Sequence, residues 1–295
     1  MRNYLNDFSL FLSETKKSSK NTVESYVRDI KAYLSYAEIN SVNINKVTKD
    51  DINTYLENLK NIGKTQATIV RNLASIKCFY DYLVVNNEIK LNPAKDIKSH
   101  KCKSKLPEIL SSREIDLLLA QPDVSTMRGL RDKAMLELLY ATGLRVSELI
   151  ELNVDDINLN VGIVLCKSKN NERIIPIYKS ALKYIENYLL MSRSSIVLNN
   201  SEKTLFVNMN GGKMTRQGFW KIIKSYAEVC GIEKSITPHT IRHSFAAHLL
   251  ENGAGLKDIK EMLGHAGVSS TQIYSQIIKQ KYENSYNKFH PKAGL

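Results

Sequence analysis

The sequence lacks the features that mark secreted, membrane-spanning or disulfide-stapled proteins. Its 295 residues include only four cysteines, six prolines and one tryptophan. The cysteines lie far apart with no CxxC spacing, which argues against a disulfide framework or a zinc knuckle. No apolar run approaches the ~18 residues of a membrane span, and acidic residues come too early for a signal peptide. We therefore predict a cytoplasmic protein with reduced thiols and no membrane partner.

Acidic residues are also scarce relative to basic ones. The chain has 42 lysines and arginines against 30 aspartates and glutamates, which gives a net charge of +12. A surface of this sign favours a polyanionic partner, and nucleic acid is the first candidate. An ordinary solvated surface is the alternative, and charge alone does not exclude it.

The first hundred residues carry apolar side chains at a spacing of three or four, which predicts four helices. Their apolar stripes begin at Leu5, Val23, Ile52 and Ile69. Thr48, followed three residues later by an acidic residue, is typical of a helix-capping box. A basic segment near residues 93–107 has almost nothing apolar to bury, which indicates a linker and a boundary near Ser104. The predicted domains are residues 1–104 and 105–295.

The residues beyond the linker indicate a mostly helical domain with one small sheet. The β-branched runs 162–166 and 173–177 flank a polar turn over 167–172, which is typical of a hairpin. Helices are predicted around residues 181–191, 216–230, 238–252, 256–263 and 271–282. The predicted fold class of the whole chain is therefore mainly α, with a minor β component (α+β).

Arg145 follows the glycine turn of ATGLRVSEL and lies where a helix is predicted to begin. Backbone N–H groups and the helix dipole favour an anion at such a position. A surface arginine paired with Glu148, three residues later, is the alternative.

A second arginine lies in the segment TPHTIRHSFAAH, which holds three of the six histidines. Thr237 can cap a helix here and Pro238 can occupy its first position. At about 100° per residue, His239, Arg242 and His243 share one face of that helix.

Two further residues follow: His265, directly after a glycine that ends a predicted helix, and Tyr274, nine residues later. Each of these segments alone is a weak signal. Together, ATGLRVSEL, TPHTIRHSFAAHLLENGA and LGHAGVSSTQIYSQ resemble the tyrosine recombinase (phage integrase) family, most closely its Xer branch, along the whole chain. The resemblance implies an N-terminal four-helix, SAM-like core-binding domain that clamps DNA, and a C-terminal catalytic domain.

The resemblance also implies the chemistry. Tyr274 matches the nucleophile that attacks a DNA phosphodiester and forms a 3′-phosphotyrosine link, for which neither ATP nor a metal is required. Arg145 and Arg242 match the pair that binds the non-bridging oxygens. His239 matches the residue that accepts or steers the tyrosine proton, and His265 the residue that donates to a phosphate oxygen.

Two more assignments concern supporting groups. Glu148 matches a family position that orients the active site. The family supplies the proton of the leaving 5′-oxygen from a lysine in a hairpin turn, typically GKGNKER. The turn is one residue shorter in this chain, so counting forward from Gly162 indicates Lys169, and Lys167 is the alternative.

His239 and His243 also have the i, i+4 spacing of a pair of zinc ligands. No glutamate follows His239, and no cysteine or third histidine with ligand spacing is nearby. We therefore predict no metal and no other cofactor. His243 is interpreted as a structural or supporting residue, and His248 as packed or solvent-exposed.

Basic and polar side chains at helix starts are predicted to contact DNA, mostly through phosphates. They are Lys64, Thr65, Gln66, Arg71, Lys213, Arg216 and Gln217. The resemblance further implies a homo- or hetero-tetramer on two double-stranded DNA sites, assembled by exchange of the C-terminal tail. The sequence leaves open whether a DNA translocase activates it. Whether the tail docks in cis or in trans stays open.

The preferred hypothesis is a Xer-type site-specific recombinase that resolves chromosome dimers at a dif-like site. An integrase or transposase of a mobile element is a closely related alternative. A catalytically silent DNA-binding protein would have the same charge, but it has no reason to carry the complete set of catalytic residues.

Overall fold

The computed structural model describes residues 4–98, 106–168, 171–197, 202–234, 236–264 and 271–275. Contacts within the chain divide it into two units, residues 1–104 and 105–295. The described residues are mostly helical with one three-stranded sheet, which confirms the predicted fold class. Among them, no helix is both long enough and apolar enough to cross a membrane.

Four α-helices build the described part of the first unit, as the apolar stripes predict. They are α1 (Tyr4–Leu10), which continues as a π-helical turn (Phe11–Thr15), α2 (Lys20–Ile39), α3 (Lys49–Asn61) and α4 (Gln66–Val85). Their apolar faces meet in a core in which Phe8, Phe79 and Tyr80 are fully buried. The predicted capping box forms at Thr48, whose hydroxyl oxygen accepts from the Asp51 N–H while the Asp51 carboxylate accepts from the Thr48 N–H.

In the second unit, some helices precede the sheet along the chain and others follow it. Before the sheet come α5 (Ser112–Ala120), α6 (Met127–Thr142) and α7 (Val146–Leu149), and after it α8 (Lys179–Asn187), α9 (Ser194–Ile196), α10 (Arg216–Val229), α11 (Pro238–Glu251) and α12 (Leu256–Leu263). Residues 271–275 are helical as well. α6 is buried along almost its whole length, so it forms the centre of this core.

The sheet is antiparallel, and its strands pair in chain order. They are β1 (Ile157–Asn158), β2 (Ile163–Ser168) and β3 (Asn171–Pro176). The predicted hairpin is present, but its strands extend into the segment predicted as a turn. Lys167 and Glu172 are directly opposite each other in β2 and β3, where opposite charges favour the register. Lys169, between the two strands, lies outside the described residues.

Local sequence explains the two helix boundaries nearest to the predicted site. α6 ends at Gly143, whose φ of 59° lies in the left-handed region that glycine adopts with the least strain. Arg145 follows as the residue that precedes α7. α11 begins at Pro238 behind Thr237, whose hydroxyl oxygen accepts a hydrogen bond from the Thr240 N–H.

Candidate active site

Three arginines meet at the C-terminal end of α12, and each donates to one of three consecutive backbone carbonyls. The pairs are Arg173 Nε to Met262 O (2.8 Å), Arg242 Nη2 to Leu263 O (2.7 Å) and Arg145 Nη2 to Gly264 O (3.4 Å). The last carbonyls of a helix lack partners within the helix and carry partial negative charge, so they attract cations. Because the arginines belong to β3, α11 and the start of α7, the end of α12 joins three separate segments.

Glu148 pairs with the same arginines. Its carboxylate accepts from the Arg145 N–H at 2.8 Å and Nη1 at 2.9 Å, and from Arg173 Nη2 at 2.8 Å and Nη1 at 3.2 Å. Arg242 Nη1 lies 4.0 Å from it. Burial raises the pKa of Glu148, but the hydrogen bonds and charges of Arg173 and Arg145 outweigh burial and lower it overall. One ionised carboxylate among three guanidiniums leaves a positive site suited to a phosphate.

Arg242 connects two glycine turns. Besides the Leu263 carbonyl, it donates from Nη1 to the carbonyl of Gly143, which lies just before Arg145 in the chain. The residue is only 3% exposed. Burial and the neighbouring charge of Arg145 lower the pKa of Arg242 to about 10, so it keeps its charge at neutral pH. A buried guanidinium therefore holds the ATGLR and LGH motifs together, although they are far apart in sequence.

Tyr274 lies beside this cluster with its ring fully buried, against Phe245 and Leu263 among others. Its hydroxyl oxygen is 3.0 Å from Nδ1 of His243. Burial, His239 and Arg242 lower the pKa of His243 to about 4, so the ring is neutral at pH 7. In the tautomer that carries its proton on Nε2, Nδ1 accepts the tyrosine hydrogen. Burial raises the pKa of Tyr274, and the charges of Arg242 and Arg145 oppose that increase.

The contact between His243 and the tyrosine was not predicted from the sequence, which assigned the tyrosine proton to His239. The two histidines lie one helical turn apart on α11, with ring centroids separated by 6.4 Å. His239 is the exposed member of the pair, and its pKa is lowered by burial and by the charges of Arg242 and Arg145. The shared helical face was the available signal. A shared face does not show which of the two histidines is more deeply buried, because burial depends on the segment packed against α11.

Two predicted catalytic residues, Lys169 and His265, lie outside the described residues. The alternative general acid, Lys167, donates from Nζ to Asp156 Oδ1 at 2.9 Å. This hydrogen bond and the charge of Asp156 raise the pKa of Lys167. A lysine that is already paired and is a weaker acid than usual is poorly suited to donate a proton.

The predicted DNA-binding residues of the first unit lie at the start of α4. Thr65 caps this helix by accepting from the Thr68 N–H, and the adjacent Lys64 and Gln66 are exposed. Arg71 differs from them, because its Nε and Nη2 donate to the two carboxylate oxygens of Asp29 at 2.8 and 2.9 Å.

The predicted DNA-binding residues of the second unit lie at the start of α10. Arg216 and Gln217 are exposed in its first turn. Lys213 precedes the helix, with its Nζ 3.3 Å from a carboxylate oxygen of Glu151, and both side chains of that pair are well exposed.

His248 is packed in the core. Its Nδ1 lies 2.9 Å from the Tyr140 hydroxyl and its Nε2 lies 2.9 Å from the carbonyl oxygen of Leu110. Within the described part of the chain, no group of three or more histidine, cysteine, aspartate or glutamate side chains could hold a metal ion. The absence of a metal and of other cofactors stays a prediction.

Similarity to known proteins extends over both units. Residues 108–281 match the phage integrase family, and residues 5–87 match the phage integrase N-terminal SAM-like domain. The chain is 46% identical over 293 residues to tyrosine recombinase XerD of Oceanobacillus iheyensis, covering 98% of each chain. It is 42% identical to tyrosine recombinase XerD of Halalkalibacterium halodurans, covering 99% of each. Its fold matches that of XerH site-specific recombinase bound to palindromic difH substrate with a TM-score of 0.79 at 20% identity, over 96% of this chain and 84% of that one.

Proposed function

The chain belongs to the phage integrase family of tyrosine recombinases, in its Xer branch, and on this premise we propose that it cuts and rejoins DNA strands through Tyr274. One observation carries the proposal. The Tyr274 hydroxyl lies 3.0 Å from a neutral histidine of α11, the helix whose Arg242 meets Arg145 at the end of α12. A nucleophile, a proton acceptor and paired guanidiniums are the groups that transesterification of a phosphodiester requires.

In the proposed reaction the oxygen of Tyr274 attacks a DNA phosphorus. A bond forms between phosphorus and the tyrosine oxygen, and the bond to the 5′-oxygen breaks, which leaves a 3′-phosphotyrosine. The tyrosine proton passes to a histidine of α11, and Lys169 supplies the proton of the leaving oxygen. Arg145, Arg242 and His265 stabilise the charge on the other phosphoryl oxygens. Because the phosphotyrosine keeps the energy of the broken bond, a 5′-hydroxyl can reseal the strand without ATP.

The proposed biological role is resolution of chromosome dimers at a dif-like site on double-stranded DNA, in the cytoplasm. The XerD relatives support this role over that of a mobile-element integrase. The proposed assembly is a tetramer on two DNA sites, joined by exchange of the C-terminal tail and activated by a DNA translocase. No feature of the described residues favours a catalytically silent protein.

A nicked suicide substrate carrying a dif-like site tests the proposed function. The wild-type protein should form a covalent adduct with this DNA, because loss of the short cleaved fragment prevents religation. Tyr274→Phe should bind the DNA and form no adduct. Tyr226→Phe is the matched control, since the Tyr226 hydroxyl donates to Asp132 in the core and not to the site. If the wild-type protein forms no adduct on any dif-like DNA, the proposal is wrong.

The general acid can be assigned with a substrate whose leaving oxygen is replaced by sulfur. Sulfur leaves without protonation, so Lys169→Ala should cleave normal DNA about 10²–10⁴-fold more slowly and recover on the sulfur substrate. Lys167→Ala should cleave both substrates at close to the wild-type rate, because Asp156 already holds that lysine. Rescue of Lys167→Ala in place of Lys169→Ala would reverse the assignment.

A further inference from the structure

Among the described arginines at the end of α12, Arg173 is the one to which the proposed reaction gives no role. Its side chain is 10% exposed and makes hydrogen bonds to Glu148 and to the Met262 carbonyl oxygen. We propose that Arg173 is a positioning residue that orients Arg145 through Glu148. This inference rests on the proposed function, since it concerns the same site.

The first step of the coupling is the fork between Arg173 and Glu148. Nη1 and Nη2 of Arg173 donate to the two different oxygens of the carboxylate, at 3.2 and 2.8 Å. Such a two-point contact defines both the position and the plane of a carboxylate. A lysine would supply the charge without the fork, so it would leave the carboxylate free to rotate.

The second step is the contact of the same carboxylate with Arg145. Oε1 of Glu148 accepts from Nη1 of Arg145, and Oε2 accepts from its backbone N–H. The guanidinium proposed to bind the phosphate therefore takes its orientation from a carboxylate that Arg173 holds in place. The Arg145 side chain is 39% exposed and therefore accessible to a ligand, whereas that of Arg173 is 10% exposed.

The backbone at the end of α12 leaves room for the guanidinium of Arg173. Gly264 ends the helix with a φ of 62°, and a Cβ built on it would lie 2.9 Å from Nη1 of Arg173 and 3.1 Å from its Cζ. Any larger residue would push the Arg173 side chain away from Glu148. The glycine of the LGH motif thus satisfies two demands, a left-handed backbone and close approach of an arginine.

Arg131 provides a matched control in the same unit. Its Nε and Nη2 donate to Asp132, its Nη1 donates to the Val207 carbonyl, and its side chain is 4% exposed. Arg131 and Arg173 therefore have the same set of partners, one carboxylate and one carbonyl, at similar burial. Both Arg131 nitrogens that meet Asp132 donate to one oxygen, Oδ1. No hydrogen bond or ion pair of the described residues links Arg131 to Glu148, so replacing it tests the cost of losing a buried arginine–carboxylate pair alone.

The experiment compares Arg173→Lys with Arg131→Lys in single-turnover cleavage of the nicked substrate, with DNA affinity and melting temperature measured in parallel. We expect Arg173→Lys to cleave about 10²-fold more slowly, as for a small misplacement of a reacting group, while DNA affinity changes less than about threefold. Arg131→Lys should melt at a similarly reduced temperature and cleave at close to the wild-type rate. The double variant Arg145→Lys/Arg173→Lys should be no slower than Arg145→Lys, because each single change already disrupts the same interaction.

Equal losses of cleavage in Arg173→Lys and Arg131→Lys would overturn the inference, since they would indicate a packing defect. Multiplicative losses in the double variant would overturn it as well. Glu148→Gln is a second variant that weakens the fork and leaves both arginines present, and cleavage at the wild-type rate would count against the coupling. If the wild-type protein forms no covalent adduct that depends on Tyr274, the proposed function is wrong, and this inference fails with it. If the wild-type protein cleaves the substrate and Arg173→Lys cleaves it at the same rate, the inference is wrong and the proposed function stands.

Discussion

At the residue scale, the properties of the histidines on α11 depend on their depth in the protein. His243 and His239 have the same side chain and share a helical face with Arg242, but His243 is the one within hydrogen-bonding distance of Tyr274. Burial and the adjacent His239 and Arg242 lower the pKa of His243 to about 4, which keeps it neutral at the pH where a base is needed. The more exposed His239 is the residue that the family pattern names for this role.

Replacement of His243 separates these two assignments. His243→Ala removes the acceptor at 3.0 Å from the Tyr274 hydroxyl, so we expect cleavage of the nicked substrate to slow by about 10²-fold, at the low end of what a positioned base contributes. His243→Asn should retain more activity, because its side-chain oxygen can accept the same hydrogen. If His243→Ala cleaves at the wild-type rate and His239→Ala does not, His239 alone is the base.

At the scale of elements, the site depends on how closely α6 and α11 approach each other. A Cβ on Gly143 would lie 2.4 Å from Cδ1 of Phe245 on α11, so the end of α6 packs directly on an aromatic ring. The carbonyl oxygen of the same glycine accepts a hydrogen bond from Arg242 Nη1, and its backbone is left-handed. Conformation and packing therefore both require glycine at this position.

We predict that Gly143→Ala destabilises the protein by more than Gly231→Ala. Both residues have left-handed backbones, for which a side chain costs about 1–2 kcal/mol. Only Gly143 would meet a neighbour, since a Cβ on Gly231 has nothing within 4 Å. Overpacking at Gly143 should add about 1–3 kcal/mol, measured as the free energy of unfolding in urea. Equal losses for the two variants would show that Phe245 moves aside without cost.

At the scale of the whole molecule, the net charge of +12 predicts DNA binding that weakens steeply with salt. The charge of a residue does not say whether it is available to a phosphate. Lys64 and Arg71 are both predicted DNA contacts of the first unit. Of the two, only Arg71 pairs with a carboxylate of the described residues, that of Asp29, which is 5% exposed.

Replacing Lys64 and replacing Arg71 should therefore have different effects. Lys64→Ala should reduce the slope of log affinity against log salt by about 0.9, one phosphate contact, without changing the melting temperature. Arg71→Ala should lower the free energy of unfolding by on the order of 2 kcal/mol, because it leaves Asp29 buried without its arginine. Titrations at several salt concentrations and urea unfolding of both variants would check this. An Arg71→Ala protein that is fully stable and changes only the salt slope would contradict it.

Much of the fold follows from local sequence, because local chemistry produces it. The apolar spacing of three or four residues, the capping box at Thr48 and the Thr237-Pro238 start of α11 each act within one turn of helix, and each is found as predicted. The hairpin was predicted with too long a turn. Its charged residues Lys167 and Glu172 belong to the strands, where each has the other as cross-strand neighbour, and this pairing is not visible in composition.

The helices, the hairpin, the family and the order of the motifs all follow from the amino-acid sequence, since each helix, turn and motif depends on residues close together in the chain. Which side chains meet depends on the tertiary structure. It placed Arg145, Arg173 and Arg242 on three neighbouring carbonyls of α12, and His243 on the Tyr274 hydroxyl. Such contacts join residues between 21 and 119 positions apart, and they depend on how helix faces pack and how deep each side chain is buried. A periodic pattern states which face a residue is on, but only the packed neighbour determines what that face touches.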